Sequence, residues 1–231
     1  MEPLFTTSYA KVARAKTFIS ELSAEQEHFA STGVTASVII ENGNPILNVV
    51  WAGTGLLPGI ILGDAVHNLR SALDLMATEL ADIAHVDPEA AYFPFATDLE
   101  HLRATKKFKD FARCGSDCAQ LLETIAPYRG GNESLRALHD LDIQDKHRSL
   151  IPSLKDIEFS MEGEFDLDDP NNHSLVAKAD VVQYKFPDGS PLAAQPIIPS
   201  LQALAQTVEG VLESFAALIA ARRQAPNSVG D

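Results

Sequence analysis

Cysteine is scarce in this chain of 231 residues, which contains only Cys114 and Cys118, in "CGSDC". Two thiols cannot form the framework of disulfides found in small secreted domains, and a structural zinc site would need further ligands. The N-terminus, "MEPLFTTSYAKVARAK", also lacks the apolar stretch of a secretory signal peptide. We therefore expect two free thiols and a cytoplasmic protein.

Basic residues are outnumbered, with 18 Lys and Arg against 32 Asp and Glu, which gives a formal charge of −14. This charge argues against extensive binding to nucleic acid or to an anionic membrane, because both require a basic face. No apolar run approaches the roughly 20 residues of a membrane-spanning helix. One local exception, "RATKKFKDFAR", places Phe108 and Phe111 among basic residues, as a surface for phosphates and bases would require. We favour the simpler interpretation, a solvated helix face with both phenylalanines turned to the core.

Motifs that would identify a metal or cofactor site are also missing. The glycines of "WAGTGLLPG" lack the spacing and the lysine of a phosphate-binding loop. Four side chains are chemically able to bind zinc, iron or manganese but have no diagnostic spacing: His67, Asp74, Asp145 and His147. Arg70, in the same stretch as the first two, would disfavour a cation there. We expect neither a metal nor a cofactor.

Hydrophobic periodicity predicts an α+β protein that is mainly α, a helical bundle with one or two small antiparallel β-ribbons. Two β-branched runs, near 34–41 and 45–52, flank Asn42-Gly43, the strongest short signal for a hairpin. A second ribbon is expected near 155–166 and 173–186. Helices are expected at 8–30, 57–85, 99–112, 117–126, 134–149 and 200–223, with caps at Asp98, Ser116 and either Asn132 or Ser134. We expect one domain over residues 1–223 and a disordered tail over 224–231.

An unusual set of side chains occupies the polar side of the helix at 57–85, in "GDAVHNLRSALD". At about 100° per residue, the apolar residues form one stripe: Leu62, Ala65, Leu69, Ala72, Leu73, Met76, Leu80 and Ile83. The other side carries Asp64, His67, Arg70, Ser71, Asp74 and Thr78. Three interpretations are open. The polar residues form an exposed Arg70–Asp74 pair, a buried ladder that fixes helix packing, or the same ladder facing a pocket.

A second helix, in "ESLRALHDLDIQDKHRSL", offers partners for this polar side. Its leucines define a buried face, and Asp142 and Asp145 fall within the same arc, whereas Lys146 points elsewhere. Carboxylates directed at a core are costly unless a cation or several donors match them. We therefore predict that the two helices pack face to face, so that Asp142 or Asp145 meets Arg70 or His67. The predicted binding residues are Asp64, His67, Arg70, Asp74, Asp142 and Asp145, and the catalytic candidates are His67, Arg70, Asp74, Asp145 and His147.

The stretches "GDAVHNLRSALD", "YFPF", "IAPY" and "DKHR" resemble a family of uncharacterised bacterial proteins with HNLRSALD-type and DKHR-type hallmark stretches. The resemblance covers roughly residues 58–150 and implies no particular activity. More distantly, "HNLRSALD" is similar to a helix of HEPN proteins, small helical bundles that include RNA-cleaving toxins. Their catalytic Arg precedes a His on one helix, whereas here His67 precedes Arg70, and His147 directly precedes Arg148.

Two functions follow as hypotheses. The first is a non-enzymatic bundle whose His/Arg/Asp site is structural or receives a small ligand or partner. The second is a HEPN-like nucleic-acid-acting protein of the RNase, toxin or defence type, with Arg70 and His67 near phosphate. The acidic charge and the missing Arg-to-His spacing favour the first. We also expect a homodimer that forms through the helix at 201–221, which is rich in Ala, Leu and Val.

Overall fold

Seven helices and four strands make up the part of the chain that the computed structural model describes, namely residues 3–51, 53, 55–87, 91–147, 150, 152–162 and 176–224. In chain order they are α1 (Thr6–Thr32), β1 (Val34–Glu41), β2 (Asn44–Trp51), α2 (Leu57–Ile83), α3 (Leu99–Ala104), α4 (Lys106–Ala112), α5 (Ser116–Ile125), α6 (Glu133–His147), β3 (Ser153–Glu162), β4 (Val176–Lys185) and α7 (Ile197–Gln224). The predicted fold class, α+β and mainly α, is confirmed. Residues 225–231 of the predicted tail lie outside the described residues, as do positions 163–166 and 173–175 of the second ribbon.

The two β-ribbons join into one antiparallel sheet with the strand order β2-β1-β4-β3. The first ribbon turns at Asn42 and Gly43, whose φ angles of 55° and 78° lie in the left-handed region that a tight two-residue turn requires. Ala36 of β1 pairs with Ala177 of β4, and this pairing connects the ribbons. The two predicted ribbons therefore form a single sheet, because their inner strands, β1 and β4, pair with each other.

The α2 helix follows directly from its sequence pattern. Pro58 lies in the first turn, where its missing N–H removes no helical hydrogen bond. The apolar stripe predicted for this helix is buried throughout, apart from Ile83, which is partly buried. Because that stripe packs into the core, the polar stripe is held in a fixed orientation relative to the rest of the protein.

The prediction of a single helix over 99–112 is wrong, because Thr105 separates α3 from α4. Asp98 caps α3 as expected, with its Oδ1 accepting a hydrogen bond from the backbone N–H of His101 at 2.7 Å. Thr105 has an extended backbone, and its hydroxyl accepts a hydrogen bond from the N–H of Phe108 at 3.1 Å. The threonine side chain thus starts a second helix, as Ser and Thr caps do.

Asn132 caps α6, and its Oδ1 accepts a hydrogen bond from the N–H of Leu135 at 3.0 Å. Ser116, predicted to cap α5, is instead the first residue of that helix. Gly115, with φ 136°, occupies the cap position. Glycine adopts that backbone conformation at little cost, which explains why the chain turns one residue earlier than predicted.

The α7 helix supplies a large part of the core. Its buried apolar side chains include Leu201, Leu204, Val208, Val211, Leu212, Phe215 and Ile219. The ring of Phe215 meets that of Phe111 edge-on, with the centroids 5.6 Å apart, and so joins α7 to α4. Among the described helices, α7 alone is long and apolar enough to cross a membrane. One such helix is weak evidence for a membrane span, because a buried core helix passes the same test.

The outer face of α7 is small and polar. Between positions 201 and 221 its exposed residues are Gln202, Ala203, Gln206, Gly210, Glu213, Ser214, Ala217 and Ala221. The large apolar residues that suggested dimerisation through 201–221 therefore serve the core of the chain itself. A homodimer through this helix stays a prediction.

Candidate functional site

The helices α2 and α6 pack against each other and bring a histidine to an aspartate. His67 Nδ1 lies 3.1 Å from Asp142 Oδ1, although the two residues are 75 positions apart. The side chain of Asp142 is 5% exposed and that of His67 is 54% exposed. This contact is one of those predicted from the inward arc of α6, and it places a buried carboxylate behind a solvent-accessible imidazole.

Asp142 has a second cationic partner. Lys146 Nζ lies 2.6 Å from Asp142 Oδ2, one helical turn along α6. Each carboxylate oxygen therefore accepts a hydrogen bond, as a buried carboxylate requires. Lys146 is exposed, as expected for a residue outside the buried arc of α6. Its side chain nevertheless reaches back to Asp142, because i,i+4 neighbours on a helix face each other.

The ring of His67 is held on both sides. Its Nε2 lies 3.3 Å from Ser71 Oγ, one turn along α2. A carboxylate can only accept hydrogen bonds, so Nδ1 carries the proton that faces Asp142. In the neutral ring, Nε2 then accepts from the Ser71 hydroxyl. The imidazole is thus fixed in tautomer and orientation while it remains open to solvent.

Asp145 lies at the same end of the interface, against Gly63. A Cβ atom at position 63 would lie only 2.5 Å from Asp145 Oδ2, so glycine provides the space for the carboxylate. Burial raises the pKa of Asp145, and the hydrogen bond from the Leu150 N–H opposes that rise. Repulsion from Asp142 and Asp64 adds smaller increases, and His67 lowers the pKa slightly. Carboxylates therefore outnumber cationic side chains at this end of the α2–α6 interface.

Arg70 contacts Asp74 and Phe95, so that of the two predicted partners for the α6 carboxylates only His67 meets one. It is only 6% exposed. Its Nη1 lies 2.8 Å from Asp74 Oδ1, and its Cζ lies 4.6 Å from the centre of the Phe95 ring. Asp74 also accepts a hydrogen bond from the N–H of Phe93 at 3.0 Å. This half of the polar stripe is therefore a partly buried ladder that fastens the segment "YFPF" to α2.

His139, which the sequence analysis did not single out, belongs to the same cluster. Its ring stacks on Phe95, with centroids 4.4 Å apart and planes 4° from parallel. Burial, followed by the charges of Arg70 and Arg136, lowers the pKa of His139 to about 4. The ring is therefore neutral at pH 7. The only sequence signal for it was a histidine beside the leucine face of α6.

The four potential metal ligands are not brought together. Asp74 is turned to Arg70, and His147 is exposed at the end of α6. The described residues contain no group of three or more His, Cys, Asp or Glu side chains placed to hold a metal ion. Arg148 lies outside the described part of the chain.

The cysteines and the basic run offer no site for covalent chemistry or base stacking. Cys114 and Cys118 are buried and free, and burial raises the pKa of Cys114 to about 11, which disfavours a reactive thiolate. Phe108 and Phe111 are 9% and 0% exposed, so the simpler interpretation of the basic run is confirmed. Arg103 is engaged with Glu123 through two hydrogen bonds of 2.7 Å.

An open cleft of about 740 Å³ lies between α6 and the segment 189–195. Arg129, Arg136 and Asp140 line it, and both arginines form ion pairs with Asp140. Ser190 also lines it and is 8% exposed, and its Oγ has no hydrogen-bond partner among the residues that the structure describes. No sequence pattern indicates this cleft, because the segment 189–195 that forms half of its wall has no hydrophobic periodicity.

Comparison with known proteins adds no assignment. No protein-family model, no curated protein and no solved structure matches this chain. The resemblances to the HNLRSALD-type family and to HEPN proteins therefore stay hypotheses. Function has to be argued from the chemistry of the site, since a fold alone does not determine it.

Proposed function

We propose that the protein is a binding module whose ligand site is the exposed end of the α2–α6 interface. This surface, termed the His67 site, consists of Asp64, His67, Ser71, Asp142, Asp145 and Lys146. The ligand class that suits it is a small polar molecule, or a partner's side chain, that carries positive charge and donates hydrogen bonds.

The observation that carries the proposal is the second donor on Asp142. Lys146 Nζ lies 2.6 Å from Asp142 Oδ2 and would by itself balance the charge of this buried carboxylate. His67 is therefore not needed for charge balance, and with 54% of its side chain exposed it contributes little to packing. The arrangement holds an imidazole in one orientation before any ligand arrives, and such preorganisation reduces the entropic cost of binding.

The charge balance of the His67 site selects the ligand class. Its carboxylates repel one another, and repulsion from Asp142 and Asp64 is a smaller contribution than burial to the raised pKa of Asp145. A cation placed near them relieves this repulsion, whereas a phosphate or another anion adds to it. The net charge of −14 on the whole chain acts in the same direction.

The HEPN-like alternative receives less support from this geometry. Phosphate recognition by Arg70 would require its guanidinium to leave Asp74 and Phe95, and it is 6% exposed. An RNA-binding titration at two salt concentrations tests this alternative directly. Binding that weakens steeply as salt increases would favour it over the proposal.

A second candidate function, ester hydrolysis, is supported by one observation. Ser71 Oγ, His67 and Asp142 follow one another at 3.3 Å and 3.1 Å, in the order of a Ser-His-Asp triad. His67 Nε2 would take the Ser71 proton while Oγ attacks an ester carbonyl, give that proton to the departing alkoxide, and then activate water to release the acyl group. Ser71 lies inside α2, where helical hydrogen bonds occupy the backbone N–H groups that could form an oxyanion hole. Equal rates of p-nitrophenyl acetate hydrolysis by the wild type and Ser71→Ala would eliminate this candidate.

Imidazole NMR tests the binding proposal. Side-chain resonances of His67 would be followed in the intact protein during titration with spermidine and, separately, with inorganic phosphate. We expect spermidine to shift these resonances saturably and phosphate to leave them unchanged, because the site carries excess negative charge. Asp142→Asn should weaken the spermidine response by about tenfold, since one charged hydrogen bond to His67 is lost.

His28→Ala is the matched control, because His28 is also an exposed helical histidine but lies on α1. This variant should keep the full response at His67. A response to phosphate alone, or an equal response in the wild type and Asp142→Asn, would overturn the proposal.

A further inference from the structure

One stretch of the chain is nearly free of charge. Residues 33–63 contain Glu41 as their single charged side chain, whereas charged residues make up 22% of the protein. This stretch forms β1, β2 and the beginning of α2. It carries eight large apolar side chains that are exposed: Ile39 44%, Ile46 39%, Leu47 40%, Val50 55%, Trp51 57%, Leu56 69%, Leu57 48% and Ile60 59%.

The β2 strand lies at the edge of the sheet, with β1 on one side and no strand on the other in the described part of the chain. Exposed edges of this kind pair readily with further strands, and natural proteins usually protect them with charged residues or bulges. The sequence of β2, "NPILNVVW", contains no charged residue, and its pairing with β1 has no register shift. Only Pro45, which has no N–H, limits pairing near the turn.

Both faces of β2 are open to solvent. Successive residues of a strand point to opposite faces. Ile46 and Leu47 are both exposed, and so are Val50 and Trp51. An incoming strand can therefore reach the edge of β2 without displacing a covering element from either face.

The register shows which backbone groups line the open edge. Glu41 pairs with Asn44 next to the two-residue turn, and hydrogen-bonded and non-hydrogen-bonded pairs alternate from there. The Thr35 hydroxyl donates to the Val50 carbonyl at 3.3 Å, consistent with that carbonyl facing β1. The odd-numbered residues of β2, from Leu47 to Trp51, therefore present their N–H and C=O groups outward.

We propose that two copies of this chain pair through β2, antiparallel about a twofold axis near Asn48, and form one continuous eight-stranded sheet. Under a twofold axis, the outward N–H and C=O groups of β2 in one copy form hydrogen bonds with the same groups of β2 in the other copy. The exposed apolar side chains of β2, namely Ile46, Leu47, Val50 and Trp51, flank this edge.

Area and charge both identify a second copy as the occupant. The eight exposed side chains present on the order of 800 Å², which is what one partner contributes to an interface of standard size. Two chains of charge −14 repel each other, and residues 33–63 are where they can approach with least repulsion. A charged partner would require complementary charges, and this stretch has only Glu41.

Sedimentation equilibrium of the full chain tests the proposal. We expect a mass twice the 25.0 kDa of one chain. The double variant Leu47→Lys, Trp51→Lys places two like charges on the edge strand and should sediment as a monomer with an unchanged circular dichroism spectrum. Ile143→Lys, at a residue on α6 that is 42% exposed, is the matched control and should remain a dimer.

A cysteine cross-link identifies the surface independently, even where the charged variant fails to fold. Asn48→Cys should form a covalent dimer under mild oxidation, because residues near a twofold axis approach within the range of a disulfide. Ala217→Cys on the outer face of α7 should not, and the buried Cys114 and Cys118 provide no competing thiols.

Three results would overturn the proposal. The first is a wild-type mass of 25.0 kDa at about 100 μM chain, a concentration well above the micromolar Kd expected of a specific dimer. The second is cross-linking through Ala217→Cys but not through Asn48→Cys, which would place the interface on α7. The third is a monomer that floats with phosphatidylcholine vesicles, which would identify a lipid surface as the occupant.

Discussion

Arg70 is the residue on which the polar stripe of α2 depends. Its guanidinium is buried between the carboxylate of Asp74 and the ring of Phe95. A planar cation suits both partners, because it can pair with an oxygen at its edge while its face lies over the ring. The residue therefore stabilises the non-helical segment "YFPF" against α2, and this role needs no ligand.

Replacing Arg70 with Ala should lower the free energy of unfolding by about 3 kcal/mol, since a buried ion pair and a cation–π contact are both lost. Arg70→Lys should recover only part of this loss, because lysine lacks the planar group. Urea denaturation provides the measurement. Arg103→Ala, which breaks a pair in which the arginine is 56% exposed, should lower the free energy of unfolding much less than Arg70→Ala does. An unchanged free energy of unfolding in Arg70→Ala would contradict the assigned role.

His139 should make stability depend on pH. Its pKa is lowered to about 4 by burial and by the charges of Arg70 and Arg136. As the pH falls, the ring therefore takes up a proton at a higher pH in the unfolded chain than in the folded chain. The stability linked to this group is complete above pH 6.5 and is lost as pH falls towards 4.

The variant His139→Phe keeps the stacked ring but cannot titrate. Its free energy of unfolding, measured in urea from pH 7 to 4, should fall less than that of the wild type. His28→Phe, at an exposed position, should retain the wild-type dependence. Identical slopes for the wild type and His139→Phe would show that His139 is not held neutral.

At the scale of the elements, α2 and α6 approach closely because Gly63 has no side chain. A Cβ there would lie 2.5 Å from Asp145 Oδ2. Gly210 in α7 provides the contrast, since a Cβ built there has nothing within 4 Å. The same residue type thus serves helix packing at one position and only lowers helix propensity at the other.

Gly210→Ala should raise the free energy of unfolding by about 0.5–1 kcal/mol, the usual gain from replacing glycine inside a helix. Gly63→Ala should instead lower it by about 1 kcal/mol, because the carboxylate of Asp145 has to move. Thermal denaturation of both variants provides the measurement. Adding Asp145→Ala to Gly63→Ala should restore the gain, and additive effects of these two changes would contradict the contact.

At the scale of the whole molecule, repulsion among acidic residues opposes folding. The charge of −14 is spread over one chain, and several ion pairs are exposed, such as Lys16 with Glu209. Salt screens both the repulsion among the acidic residues and the attraction within the exposed ion pairs. The long-range repulsion in a strongly acidic protein is larger than the small stabilisation from exposed pairs.

The melting temperature should therefore rise by a few degrees when NaCl is increased from about 0.02 to 0.5 M at pH 7.5. Differential scanning calorimetry provides the measurement, with sucrose at equal osmolality as a control for general exclusion effects. A melting temperature that falls with salt would show that the ion pairs outweigh the repulsion.

Local features were predictable because neighbours along the chain determine them. The hairpin at Asn42-Gly43, the cap at Asn132 and the apolar stripe of α2 depend on turn chemistry and periodicity. The periodicity of α6 also predicted an inward Asp142 that requires a cation. Thr105 was missed because its hydroxyl competes with the helical pattern on either side of it.

The sequence by itself determined the fold class, most helix positions and the presence of a polar stripe that requires partners. Only the tertiary structure decided which partners these are: Asp142 for His67, Phe95 for Arg70, and a stacked His139 that no spacing indicated. The physical reason is that periodicity fixes the direction of a side chain around its own helix. The rotation and separation of two helices depend instead on packing across the whole core, including the space left at Gly63.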